Sequence, residues 1–280
     1  MSNNIKNSSK NNSNSIEIEI KELDIKIFNI ELITDIIFTF LQKEERFNLG
    51  LVNKKLYSFY SKRINYISEI NSKNISSLKS FSKYPITQMK CIYMPSYYLR
   101  ILIFFDKLNE LNLNCDLIDN INTIKELKTL KKLTLYSDKK DKLIDVSALS
   151  NFIELEELVI INIKYLEGID SIKGLIKLKK IQIENSKNLN VSFLLNLINI
   201  ENLDLLYSEV KNFDFIKSLI NLKVLKISHN KRDNIDIEQI KNLKKLKILE
   251  LFCMNLNDIS FLSDLMDLEI LNLSLNKFKF

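Results

Sequence analysis

The sequence predicts an α/β solenoid, with short parallel strands on one face and helical or 3₁₀ turns on the other. Two observations predict it. Beyond residue 85 a seven-residue pattern recurs in which two apolar side chains flank a variable one. Each copy is then followed by a second apolar run with a different spacing. The first signal has a period of two and turns both apolar side chains to one side of a short strand. The second, as in "DISFLSDL" at 258–265 or "FDFIKSL" at 213–219, places apolar residues about three apart, which suits a helical or 3₁₀ turn.

The copies read "LNELNLN" at 108–114, "LKKLTLY" at 130–136, "LEELVII" at 155–161 and "LKKIQIE" at 178–184. They continue as "IENLDLL" at 200–206, "LKVLKIS" at 222–228, "LKILELF" at 246–252 and "LEILNLS" at 268–274. A degenerate copy, "ITQMKCI" at 86–92, stands one period earlier, and successive copies are 22 to 25 residues apart. Residues 66–280 therefore closely resemble leucine-rich repeats. The resemblance implies about nine parallel strands on a concave face and short turns on a convex one. No single copy buries enough apolar surface to offset its ordering entropy, so only the stack is stable. Asn230 and Asn276 occupy the LxLxxN place, where an amide can satisfy loop backbone groups; Met254, Ser208 and Ser186 fill it elsewhere, so that ladder is expected to be incomplete.

Ahead of the repeats the chain changes character. Residues 1–19 form an Asn/Ser-rich tail whose beginning is almost free of large apolar groups, and disorder is the expectation there. Residues 20–65 carry helical periodicity: Leu32, Ile33, Ile36, Ile37, Phe40 and Leu41 form a broad apolar stripe. Beyond the polar break "QKEER", Phe47, Leu49, Leu51, Val52, Leu56, Tyr57 and Phe59 suggest two further short helices. Three helices in so short a segment usually need outside support. Their surplus apolar face either caps the repeats or docks on another protein.

The segments "FNIE" at 28–31, "IIFTFL" at 36–41 and "LVNKKL" at 51–56 resemble an F-box, the adaptor-binding module of cullin–RING ubiquitin ligases. The resemblance implies a small α-helical domain that holds a Skp-type adaptor through Phe28, Leu32, Ile36, Leu41, Leu51, Val52 and Leu56. It further implies a substrate-recognition subunit of an SCF-type ligase, with the substrate protein held by the repeats. The alternative is an intracellular leucine-rich repeat scaffold whose N-terminal helices only cap the solenoid.

On the concave face, residues between and just after the LxL pairs point outward. They include Tyr136, Val159, Ile161, Leu206, Tyr207 and Phe252, with Val224, Ile248 and Ile270 one place earlier. A strand face left in water needs no such apolar and aromatic content, so these residues are the candidate partner-binding surface.

Catalytic and cofactor chemistry is not legible. His229 is the one histidine, and Ser228 and Asp233 near it in sequence do not make an oriented triad. Cys91, Cys115 and Cys253 form no CxxC pair, so no zinc spacing arises, and an odd number of cysteines suits a reduced, intracellular protein, cytoplasmic or nuclear. Gly50, Gly168 and Gly174 build no phosphate-cradling loop. We therefore expect no enzyme, no metal and no cofactor. The formal charge of +6 is spread among acidic positions, and lysine is the default polar residue in a chain so rich in Ile, Asn and Lys, so no nucleic-acid partner is expected. "YYLRILIFF" is too short to span a bilayer, and no membrane partner is expected.

Overall fold

Every LxL pair from 111/113 to 249/251 lies in a short strand with both side chains buried. The computed structural model describes residues 66–70, 86–210, 213–228 and 238–278. The strands are β1 (Tyr66–Ile70), β2 (Gln88–Cys91), β3 (Glu110–Asn114), β4 (Lys132–Tyr136), β5 (Leu143–Asp145) and β6 (Glu157–Ile161). They continue as β7 (Tyr165–Glu167), β8 (Lys180–Glu184), β9 (Asn202–Leu205), β10 (Val224–Ser228), β11 (Ile248–Phe252) and β12 (Ile270–Asn272). Ten of them form one parallel sheet in the order β1-β2-β3-β4-β6-β8-β9-β10-β11-β12. One strand more than the nine copies is present because β1, which lacks the LxL pattern, pairs with β2.

The register is what the repeat demands. Leu203, Leu225 and Leu249 are opposite one another on β9, β10 and β11, as are Leu205, Ile227 and Leu251. Behind the sheet the chain returns through 3₁₀ turns, among them Ser147–Asn151, Ile169–Gly174, Ser192–Asn196 and Asp214–Ser218. Each contributes buried side chains, such as Leu149, Ile172, Leu194 and Ile216, which form a second apolar row parallel to the strand leucines. An Asx side chain starts several of these turns. The carboxylate of Asp145 accepts from Ser147 N–H, the Asn190 amide oxygen from Ser192 N–H and the Asp258 carboxylate from Ser260 N–H.

Two features depart from the sequence expectation. β5 and β7 form a separate two-stranded parallel sheet, and β5 uses the added residues of the 25-residue copy beginning at 130. β7 leads into Gly168, whose φ is +70° and whose missing Cβ would lie 2.8 Å from Ser147 Cβ and 2.9 Å from its Cα. Glycine is needed there for both reasons. The second departure is at the last copy. Leu271 is 45% exposed and Leu273 half-buried, because among the described residues no further coil stacks upon β12.

The polar ladder is fuller than the sparse asparagines suggested. Asn276 donates to Leu251 O and Leu273 O and accepts from Met254 N–H and Leu256 N–H. The buried Ser186 and Ser208 hydroxyls donate to Ile163 O and Ile183 O at 2.7 and 2.8 Å, and Ser208 Oγ accepts from Ser186 N–H. Asp116 occupies the same place in an earlier copy and accepts from Ser137 Oγ and Asp138 N–H. A hydroxyl or carboxylate thus does what an amide does elsewhere, satisfying backbone groups that water cannot reach. Asn230 lies outside the described residues, as do His229 and Asp233.

Candidate functional site: the outward strand face

Because the strands are in register, their outward residues form rows across the sheet. At the strand starts the row runs Glu110, Lys132, Glu157, Lys180, Asn202, Val224, Ile248 and Ile270, charged at one end and aliphatic at the other. The middle row runs Asn112, Thr134, Val159, Gln182, Asp204, Lys226, Glu250 and Asn272. A third row, at the strand ends, holds Tyr136 beside Ile161 and Ile161 beside Glu184, with Ser228 beside Phe252 further along.

The candidate residues fall into two groups. Tyr136, Val159 and Ile161 cluster on β4 and β6, all half-buried. Leu206, Tyr207 and Phe252 lie toward the other end, where the rings of Tyr207 and Phe252 meet edge-on at 6.5 Å between centroids. Ser228, small and fully buried, sits beside Phe252, and its hydroxyl accepts from Tyr207 N–H at 2.7 Å. Tyr207 has a positive φ of 57°, which carries its half-exposed ring out of the turn after β9. Between the groups Gln182 donates to Glu184 at 2.5 Å and makes a polar divide. Spacing alone could not show it, since pattern counting treats the outward places of all coils alike.

The second group has a defined electrostatic setting. Lys226 and Glu250 form a 2.8 Å ion pair, and the hydrogen bond to Glu250 holds the Lys226 ammonium above its usual range. Burial raises the Asp204 carboxyl above its usual value, against the lowering effect of the hydrogen bond from Leu206 N–H. Near the first group, burial, followed by the Asp138 charge, pushes the Tyr136 phenol up to about 12. Asp138 also accepts from exposed Tyr93 and from Asn114 at 3.3 Å, a network whose members sit one coil apart and which the sequence reading did not single out.

Cys91 and Cys115 are buried free thiols, pushed up to about 12 by burial, and Cys253 is also free. Among the described residues no group of three or more His, Cys, Asp or Glu side chains could hold a metal ion. No helix among them is long and apolar enough to cross a membrane. The F-box-like residues Phe28, Leu32, Ile36, Leu41, Leu51, Val52 and Leu56 lie outside the described residues.

The sequence matches no family model and no curated protein. Solved structures do resemble the fold. An internalin (inlF) from Listeria monocytogenes superposes with a TM-score of 0.56 at 22% identity, over 73% of this chain and 64% of the internalin. A leucine-rich repeat protein from Leptospira interrogans matches with a TM-score of 0.53 at 22% identity, over 76% of this chain and 60% of that one. The leucine-rich repeat ectodomain of a plant membrane receptor kinase from Arabidopsis thaliana matches at 0.54 and 16% identity, over 75% of this chain and 26% of that one. That ectodomain is in complex with Casparian strip integrity factor 2. The stacked parallel strands with 3₁₀ returns are therefore a leucine-rich repeat solenoid, and the outward strand face is its concave face. The chain spans less than two thirds of the internalin it matches.

Proposed function

We propose that this chain is a non-enzymatic protein-binding protein that holds its partner on the concave face. One observation carries the reading: half-buried Val224, Ile248 and Phe252, with half-exposed Tyr207 and Ile270, gather in adjacent coils beside the Lys226–Glu250 pair. The aliphatic strand starts lie on one side of this ion pair and the two rings on the other, and exposed apolar and aromatic area of this kind marks protein interfaces. Large rings supply contact area at little rotamer cost. The receptor-kinase ectodomain's complex lends support by analogy of fold only.

The finer proposal is that the protein is the substrate-recognition subunit of an SCF-type ubiquitin ligase, located inside the cell. It rests on the F-box-like motifs at 28–31, 36–41 and 51–56 alone. One capture experiment separates the two levels. The full chain is immobilised and probed with a Skp-type adaptor and with cell extract. Tyr207→Ala with Phe252→Ala should leave folding intact and abolish the extract partner while adaptor capture persists. Leu32→Ala with Val52→Ala should do the reverse. An unchanged partner set in the ring variant refutes the concave-face site. Failure of the wild-type chain to hold the adaptor at micromolar concentration refutes the F-box role and returns residues 20–65 to capping.

A further inference from the structure

A second surface lies away from the strand face, at the tight turn that ends each 3₁₀ return. In four consecutive coils the corner residue of this turn is isoleucine: Ile153, Ile176, Ile198 and Ile220, all between 55% and 65% exposed. Each turn is closed by a hydrogen bond across it, such as Leu155 N–H to Phe152 O and Leu178 N–H to Leu175 O. The fold does not ask for isoleucine there. The same place is Lys128 one coil before the run and Lys244 one coil after it, both exposed. β-branched aliphatics are also poor turn residues, since the corner favours Pro, Asn, Asp or Ser. Two of the four corners are tied to the next coil, since Asn199 and Asn221 donate to Ile176 O and Ile198 O at 2.9 and 3.0 Å. Four such side chains expose an apolar patch of a few hundred Å², the scale that marks interaction sites.

The stripe borders a groove of about 540 Å³ that is basic. Lys177, Lys179, Lys223 and Lys245 line it; the first three pair with Glu154, Glu156 and Glu201, while Lys245 forms no ion pair among the described residues, which leaves positive charge in excess. Lys245 donates to the neutral Asn221 amide oxygen at 2.8 Å. On the other flank Lys173 and Lys217 are exposed, each three residues ahead of a stripe isoleucine. Spacing then selects the occupant. Adjacent coils are separated by about 4.8 Å at the sheet, whereas alternate side chains of an extended strand are about 6.8 Å apart. Successive turns of a helix are about 5.4 Å apart, so a helix whose apolar residues fall at every third or fourth place lays one on each coil.

We propose that the Ile153–Ile220 stripe and its lysine groove form a second protein-docking surface, distinct from the concave face. Its occupant is an amphipathic helix of a partner protein with acidic flanks, lying along the stack and about three turns long. The apolar face covers the isoleucines, and the carboxylates meet the uncancelled lysines on both sides.

The test uses the full chain and three labelled, stapled helical peptides of about fourteen residues, read by fluorescence anisotropy at low salt. The first has leucines at every third or fourth place and glutamates on both flanks. The second replaces the glutamates by lysines, and the third replaces the leucines by serines. The first should bind at micromolar concentration, at least about tenfold tighter than either control, and weaken as salt rises. Ile176→Ser with Ile198→Ser should cost it about tenfold or more, as should Lys245→Gln with Lys217→Gln. Tyr207→Ala with Phe252→Ala should leave it unchanged, which separates this surface from the concave face. Should the first serine variant fail to fold, Ile153→Ser with Ile220→Ser carries the same expectation. Equal binding of the three peptides, or undiminished binding by both stripe and lysine variants, overturns the proposal. So does a wild-type dimer that the serine variants convert to monomer, because the stripe would then be covered by a second copy.

Discussion

Replacing Leu225 by alanine tests the core and the register together. Leu225 is fully buried on β10, with fully buried Leu203 and Leu249 opposite it on either side. Neither neighbour can collapse into the space, because each is held in register by its own ladder. The loss is therefore that of a buried Leu→Ala change with little relaxation, about 2–5 kcal/mol. Against a total stability of about 5–15 kcal/mol, that is a large part of the whole. Leu225→Asp should be worse, since an unpaired carboxylate would enter an apolar row, and it should unfold the stack locally or entirely. Guanidinium unfolding followed by far-UV circular dichroism gives the free energies, with exposed Ile220→Ala expected within about 0.5 kcal/mol of wild type. Hydrogen exchange adds the spatial test. Each coil leans on its neighbours, so β9, β10 and β11 should lose amide protection before β3 and β4 do. Near-wild-type melting of Leu225→Asp would refute the inward register of the LxL pairs.

Two further outcomes follow from single residues. Gly168→Ala should destabilise by about 1–3 kcal/mol in thermal or denaturant unfolding, because its left-handed backbone and the approach of Ser147 both resist a Cβ; a neutral result would mean that turn is not held as described. Asp204→Asn should raise Tm at neutral pH. The folded chain binds the Asp204 proton more tightly than the unfolded chain does, so the ionised carboxylate costs stability above its raised folded value. That cost disappears as pH falls below the usual carboxylate range, and the advantage of the asparagine should shrink with it. A pH-independent difference in Tm would assign the effect to lost contacts instead.

What the sequence determined by itself is the part that repeats. The LxL pairs from 111/113 to 249/251 are buried because a period-two pattern can hide both leucines only on one side of a strand, whatever its neighbours are. The 3₁₀ returns were legible for a similar reason, as apolar residues three apart followed each strand. Tertiary structure decided what depends on distance between coils. It showed that Ser186, Ser208 and Asp116 can satisfy loop backbone groups in place of asparagine, because the neighbouring carbonyl or N–H lies within reach of a short side chain. It divided the concave apolar set at Gln182 and Glu184, and it brought the rings of Tyr207 and Phe252 together although 45 residues separate them. It also exposed the isoleucine stripe. In sequence Ile153, Ile176, Ile198 and Ile220 look like further core residues, and only the tight turn that swings them past the buried rows turns them into surface. Periodicity specifies which side chains share a row, but the packing between coils decides whether that row meets protein or water.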